Sequence, residues 1–392
     1  MTAARTVFIA GAGIAGLTAA LALAAKGFRV IIAEKAERLE EAGAGLQLSP
    51  NASRILIDLG LRARLEPHAI APDAVSLMSV RHGGEISRLP FHQTIDTPYW
   101  VLHRADLQAA LTSAVDDNPA IELRLGTSFE QADAAADGVV IHQRSGASRR
   151  EDRASALIGA DGVWSAVRRR LNPDARPKFS GLIAWRGTAD ASSLPRELAP
   201  PRVQVWMGPE THLVVYPIAG GRQVNMVAVA SGTWNEPGWS VPADAAEIAN
   251  RFAAARWPAP AQAMIGAVET WRKWALFAMP DMARWNEGAI ALIGDAAHAM
   301  LPFAAQGAGM AIEDAAVLAA CLGNSVEDAA AALARYGDLR RARVARVRRL
   351  AQRNGQIYHL RGAAALARDL AIAAMGPARL MARQNWIYGW RP

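Results

Sequence analysis

The chain holds a single cysteine, Cys321, among 392 residues, so no disulfide can form within it. A cross-linked framework is excluded, and a reducing, cytoplasmic setting is expected. Cys321 lies in the apolar run AAVLAACLG, the setting of a packed thiol. None of the eight histidines falls at metal-ligand spacing, so no metal is expected. Lysine is scarce: four residues (26, 35, 178 and 273) among 43 lysines and arginines. The densest basic stretch, Arg335 to Arg353, spreads its arginines over several helix faces, as a solvated helix does and a nucleic-acid site does not. No uninterrupted apolar run is long enough to span a bilayer, and internal repeats and low-complexity linkers are absent. Neither nucleic acid nor membrane is therefore an expected partner. What remains is a chain with 52% hydrophobic and 20% charged residues and a formal charge of +7. That is globular composition, long enough for two or three domains, with a positive field that draws anionic small molecules.

The N-terminal run MTAARTVFIAGAGIAGLTAALALAAKG resembles a secretory signal in its composition. Its glycines have a different logic. Thr6 to Ala10 reads as a buried strand, Gly11-Ala-Gly13-Ile-Ala-Gly16 as a loop, LTAALALAAKG as a helix and RVIIAE as a second strand ending in Glu34. Gly11 permits the tight turn, Gly13 lets backbone approach a pyrophosphate, and Gly16 lets helix and strand pack closely. The helix N-terminus offers free N–H groups to phosphate. Glu34, 18 residues after Gly16, is placed for ribose hydroxyls. This unit predicts dinucleotide binding without choosing between NAD and FAD.

Two further strand ends carry polar residues. ASALIGADGVWSAVRRRL puts Asp161-Gly162 after an apolar strand, and GAIALIGDAAHAMLPFAAQGAGMAIEDA does the same with Gly294-Asp295 before a helix pattern that starts near Gly309. Ligands in open α/β sheets bind outside such ends. With three such signatures in order, the sequence resembles the class A, single-component FAD-dependent aromatic hydroxylases. EAGAGLQLSPNASRIL (Glu41 to Leu56), HRADLQAAL and LPFAAQGAGMAIEDA add to the likeness. GLIAWRG, HLVVYPI, WRKWALF, RNGQIYHL and NWIYGW bring it nearest to the salicylate, 3-hydroxybenzoate and 6-hydroxynicotinate hydroxylases.

The resemblance implies an α/β fold of mixed α+β character: a glutathione-reductase-like FAD-binding domain (1–75, 100–177 and 276–345), an inserted β-sheet substrate domain (76–99 and 178–275) and a C-terminal helical segment (346–392) packing on the FAD domain. It implies FAD held by Gly11, Gly13, Ile14, Ala15, Gly16, Glu34 and Lys35, by Gln47 and Arg104, by Asp161, and by Asp295 on the ribityl chain. Gly307, Ala308 and Gly309 would pass backbone close to the isoalloxazine, with a helix from Met310 aiming its positive end at the ring. Arg168 would anchor the Asp161-Gly162 turn to neighbouring backbone, and His298 would be structural.

The implied activity is a monooxygenase reaction. NADH or NADPH reduces FAD, and O2 yields a flavin C4a-hydroperoxide that hydroxylates a small phenolic or heteroaromatic acid. NADH is the expected donor, because no basic group for a 2′-phosphate is identifiable. His212, Tyr216 and Gln47 are the expected catalytic residues. His212 and Tyr216 share one face of the strand HLVVY, and an imidazole titrates in the range suited to taking a phenol's proton. Arg186 is equally well read as a carboxylate contact or as half of a structural salt bridge. Leu301-Pro302-Phe303 stands where relatives often carry a polar residue, so a more apolar pocket is expected, which speaks against a simple hydroxybenzoate and leaves larger aromatic acids or heteroaromatics open. Two other readings stay open: an epoxidase or hydroxylase of isoprenoid or polycyclic substrates, and a non-catalytic FAD-binding protein. A monomer or homodimer is expected.

Overall fold

The computed structural model describes residues 5–39, 45–91, 97–199, 201–236, 240–282, 284–323 and 328–392. Glu41 to Ala44, the start of one family-like stretch, lie outside the described residues. Thr6–Ala10 is buried from Val7 onward and pairs in parallel with Arg29–Ala33 on one side and Ala156–Gly159 on the other. Ala156–Gly159 pairs in turn with Ile290–Leu292, and Arg29–Ala33 with Ile121–Arg124, also in parallel. Asn286–Glu287 completes this six-stranded sheet as an antiparallel edge. Parallel strands covered on both faces read as unbroken apolar runs, which is why TVFIA and RVIIA show no alternation. Because Thr6–Ala10, Ala156–Gly159 and Ile290–Leu292 are neighbours running the same way, their C-terminal ends lie side by side. The three polar strand ends of the sequence therefore meet at one sheet edge.

A second, eight-stranded sheet is assembled from two separate stretches of chain. Ala74–Ser79 and Gly84–Pro90 join Lys178–Asp190, Val203–Gly208, Thr211–Ile218, Gln223–Ser231, Val241–Ala243 and Trp271–Ala278. The parallel pairing of Val203–Gly208 with Ala74–Ser79 stitches the stretches together. One face of this sheet packs Trp185, Trp206, Trp271, Leu213 and Val215 against Phe252 and Trp257 of the helical region that follows. Side chains alternate along a strand, so the opposite face presents His212, Val214 and Tyr216. A three-stranded meander (Thr127–Ala135, Gly138–Ser145, Ser148–Ala154) and a two-stranded pair (Gly45–Leu48 with Trp100–His103) complete the mixed α/β architecture.

Three expected domain boundaries cut through elements. Residue 75 falls inside Ala74–Ser79, 275 inside Trp271–Ala278, and 345 inside the helix Ala329–Tyr358. Ladder pairing at the two strands and an uninterrupted run of helix formers at the third carry each element across the boundary. The C-terminal segment also differs from expectation. Ala329–Tyr358 packs on the helix Gly307–Gly323, but Gly362–Ala382 lies on the strand Gly84–Pro90 of the large sheet. A buried hydrogen bond of 2.6 Å, from Ser79 Oγ to Asp369 Oδ2, pins it there.

Glu313 and Asp314 are buried in the apolar helix Gly307–Gly323. Arg340 donates to both at 2.7 Å, and Arg343 donates to Glu313 at 2.6 Å. Asn51 Nδ2 donates to Glu313 at 2.7 Å, and Asp314 also accepts from Gly294 N at 2.9 Å and bonds His298 at 2.5 Å. This network ties the helix to the helix Ala329–Tyr358 and to the Gly294-Asp295 turn. Opposite charges and hydrogen bonds hold Asp314 below the ordinary carboxylate range despite its burial.

Candidate functional site

A cavity of roughly 1630 Å³ lies between the edge where the three strand ends meet and the free face of the large sheet. Small-molecule sites usually enclose about 300–1,000 Å³, so this one has room for a dinucleotide with a second ligand. Gly11, Gly13, Ile14, Ala15, Glu34, Lys35, Gln47, Arg104, Asp161, His212, Tyr216, Asp295, Gly307 and Ala308 all line it. Gly16 and Gly309 do not. A Cβ on Gly16 would sit 1.9 Å from the Gly11 carbonyl oxygen, so Gly16 is the close-packing position beneath the loop. A Cβ on Gly309 would meet the Gln306 side chain at 3.0 Å. Gly13 and Gly307 are the reverse case: an added Cβ would find no protein atom within 4 Å. Their missing side chains leave the cavity open where the two helix N-termini, Ile14–Ala24 and Gly307–Gly323, point into it. The second helix thus begins at Gly307, not at Met310, so Gly307 to Gly309 are its first turn and contribute its free N–H groups.

Glu34 accepts from Ala12 N and Ala36 N, each at 2.9 Å, which places its carboxylate beside the glycine loop. Asp295 opens the short helix Asp295–His298 and is exposed into the cavity, with no side-chain hydrogen bond among the described residues and Arg168 as its charged neighbour. The cap position is Gly294, without a side-chain cap bond, so Asp295 is free for a polar ligand. Asp161 lines the cavity and also braces its own turn. Its carboxylate accepts from Ser165 Oγ, from Ala166 N at 2.6 Å and from Val167 N at 3.2 Å. These bonds brace the turn, and burial nonetheless pushes its pKa up. Arg168 anchors the same turn by donating to the carbonyls of Val163 (2.5 Å) and Ala296 (3.1 Å). Gln108, overlooked in the sequence, donates to Ala12 O at 2.7 Å and leaves its Oε1 buried without a partner. Its i+4 spacing from Arg104 on the helix Arg104–Asp116 was the available signal.

On the sheet side, Arg186 pairs across to Val227, which pairs across to Val214. Arg186, His212 and Tyr216 thus share the face that lines the cavity. Arg186 stacks on Trp274 at 5.1 Å, and its Nε is buried without a hydrogen-bond partner. No carboxylate pairs with it among the described residues, which removes the structural salt-bridge reading. Burial lowers its pKa, opposed by Tyr216 and reinforced by Arg104. Tyr216 lies against Gly45, where an added Cβ would be 2.6 Å from its Cε2, and burial pushes its phenol up. Gln47 accepts from Tyr99 Oη at 2.6 Å. His212 is 2% exposed, and burial followed by a neighbouring imidazole holds its pKa well below the usual value. That neighbour is His359, 147 residues away, whose Nε2 lies 2.7 Å from His212 Nδ1. Phe303 packs edge-on to His212 at 5.1 Å, making the apolar wall expected from Leu301-Pro302-Phe303. Residues of the C-terminal helices, including Asn354, Tyr358, Ile372 and Met381, close the far side.

A family model described as FAD binding domain matches residues 4–351. The chain is 35% identical over 392 residues to a 3-hydroxybenzoate 6-hydroxylase of Aquipseudomonas alcaligenes, with 98% of each chain covered. It is 37% identical over 390 residues to a 3-amino-4-hydroxybenzoate 2-monooxygenase of Streptomyces platensis, covering 98% of this chain and 96% of that one. Among solved structures, a salicylate hydroxylase substrate complex matches with a TM-score of 0.84 and 26% identity, over 100% of this chain and 97% of the other.

Proposed function

This chain belongs to the FAD-binding family and is a flavin-dependent aromatic monooxygenase, and on that premise we propose that it hydroxylates a one-ring aromatic acid bearing a ring hydroxyl. The observation that carries the substrate class is the pairing of two groups on one sheet face: a guanidinium with no counter-charge among the described residues, Arg186, and a buried neutral imidazole, His212. A carboxylate at one end and a phenol at the other satisfy both. The relatives named for hydroxybenzoates and aminohydroxybenzoates agree with that chemistry.

The residues present fit FAD. Gly13 and Gly307 leave open cradles before helix N-termini, Gln108 Oε1 is an orphaned acceptor, and the Asp295 carboxylate faces the cavity unpaired among the described residues. The glycine loop and Arg104 would hold the phosphates, Glu34 the ribose, Asp295 the ribityl hydroxyls, and the first turn of Gly307–Gly323 the ring. When bound, FAD would supply the redox chemistry that passes electrons from NADH or NADPH to O2 and one oxygen atom to the ring. Arg186 binds the substrate carboxylate. His212 accepts the hydroxyl proton, making the ring a better nucleophile. Tyr216 and Gln47 orient the substrate, and Phe303, Val214 and Val229 keep water out. Asp161 supports the flavin indirectly, through the turn it braces. The FAD-bearing part and the large sheet act as separate units, one holding cofactor and the other substrate, with the C-terminal helices closing over both.

The test is a screen of the FAD-loaded protein with 3-hydroxybenzoate, salicylate, 3-amino-4-hydroxybenzoate and 6-hydroxynicotinate. NADH and NADPH oxidation are followed and products identified by mass. Stimulated oxidation with a product one oxygen heavier, or hydroxylated with loss of CO2, is expected for at least one acid. A panel without effect, alongside turnover of a polycyclic or isoprenoid compound, rejects the proposal.

A further inference from the structure

We propose that His359 is the outer member of a two-imidazole proton path, which takes the substrate's hydroxyl proton from His212 and passes it to solvent. The inference rests on the function proposed above. Its starting point is the 2.7 Å contact between His212 Nδ1 and His359 Nε2. Among the described residues, the other nitrogen of each ring has no protein partner. His212 Nε2 belongs to a ring that lines the cavity, whereas His359 is half-buried at the end of the helix Ala329–Tyr358. The His359 carbonyl accepts from Glu210 N at 3.1 Å, and Glu210 pairs with Arg361 at 2.9 Å on the exposed side. The pair thus spans the wall from cavity to surface.

The aromatic neighbours guard the link. Phe303 lies 5.1 Å from the His212 ring and 6.2 Å from the His359 ring, and Tyr358 lies 5.4 Å from His212. These rings hold the imidazoles in register and keep water from the bond between them. Among the described residues, Tyr358 packs on His212, and Glu210, itself paired with Arg361, acts on His359. Burial lowers the pKa of His359 to about 4, with Glu210 pulling the other way, and His212 is held down as well. Both rings are therefore neutral at pH 7, and neither retains a proton well.

Two neutral imidazoles share a hydrogen bond only if one donates N–H and the other accepts. For His212 to accept from a phenol at Nε2, its Nδ1 carries the proton and donates to His359 Nε2, and His359 carries its own proton on Nδ1. The hydroxyl proton moves to His212 Nε2, the Nδ1 proton moves to His359 Nε2, and the His359 Nδ1 proton leaves to water. One proton is transferred to solvent, both rings end neutral, and both tautomers are reversed. Return of a proton to the product oxygen, after the ring loses its C–H proton, resets them.

The test compares His359→Ala and His359→Gln in the FAD-loaded protein. Retained FAD and unchanged reduction by NADH serve as the folding controls, and hydroxylation is measured with the acid that wild type turns over, 3-hydroxybenzoate first. Both variants are expected to hydroxylate at least tenfold more slowly, with added imidazole restoring rate to His359→Ala. Glutamine, which offers a hydrogen bond but carries no proton across, is expected not to restore it. In parallel, nitrogen-15 NMR of histidine-labelled protein is expected to show His212 protonated on Nδ1 in wild type and a changed His212 signal in His359→Gln. Wild-type rates in both variants, or full rate in His359→Gln alone, would overturn the path and leave His359 a prop. If wild type turns over no aromatic acid, the function proposed above fails. The NMR arm then still decides the bond between the rings, and an unaltered His212 signal in His359→Gln would sink the path as well.

Discussion

Arg186→Met removes a guanidinium that has no counter-charge among the described residues and keeps a side chain able to pack on Trp274. If a substrate carboxylate is what Arg186 awaits, two charges about 4 Å apart at an effective dielectric near 20 interact by about 4 kcal/mol. Charge-assisted hydrogen bonds measured by substitution are worth about 1.5–3 kcal/mol net of desolvation. A loss near 3 kcal/mol corresponds to a dissociation constant raised on the order of 10²-fold. The assay is titration of the flavin absorbance with 3-hydroxybenzoate and with 3-hydroxybenzamide, which has the same ring and hydroxyl without the charge. The acid is expected to lose on the order of 10²-fold in affinity, and the amide to change little. The ligand-free variant is expected to melt no lower than wild type, because a buried charge without a partner costs stability. An equal loss for acid and amide, or no loss for either, refutes carboxylate recognition by Arg186.

His212→Ala is expected to keep FAD and its reduction while hydroxylation falls by about 10²–10⁴-fold, with the lost flux appearing as H2O2 in a peroxidase-coupled assay. Wild-type hydroxylation in that variant removes the base role. Gly13→Val is expected to fold normally but lose FAD, since its added atoms meet no protein, whereas Gly16→Val strikes the Gly11 carbonyl and lowers Tm. Flavin content and thermal melts separate the two, and full FAD in Gly13→Val contradicts the cradle. The folded-state pKa of His359 is about 4 against 6.5 for a free imidazole, and that of His212 is also depressed. The unfolded chain therefore binds protons first, and stability is lost as pH falls from about 6.5 toward 4. A His212→Asn/His359→Asn double variant is expected to flatten Tm against pH in that window, and an unchanged slope rules out the pair as the source.

The glycine loop, the two aspartate turns and the cavity-facing alternation of HLVVY were legible because each is a local matter. A turn that needs φ of +104° at Gly11 requires glycine wherever the chain runs afterwards. Strand alternation likewise set which face His212 and Tyr216 share before any partner was known. The same local logic failed where a side chain's role depends on what lies opposite. Asp161 reads as a cavity carboxylate, but the sequence does not show that it also braces its own turn through the N–H groups of Ala166 and Val167. Glu313 and Asp314 look misplaced in an apolar helix until Arg340 arrives from the next one. Arg186 could have been half of a salt bridge or a ligand contact, and only the packed sheet shows that no acid among the described residues reaches it. His359 sits in the family-like stretch RNGQIYHL, yet nothing there pointed to His212, since its partner lies 147 residues away. Backbone conformation and periodicity are written in neighbouring residues. The pairing of buried charges and imidazoles is decided by which distant elements the folded chain presses together, because only there does desolvation force each polar atom to find a partner or await a ligand.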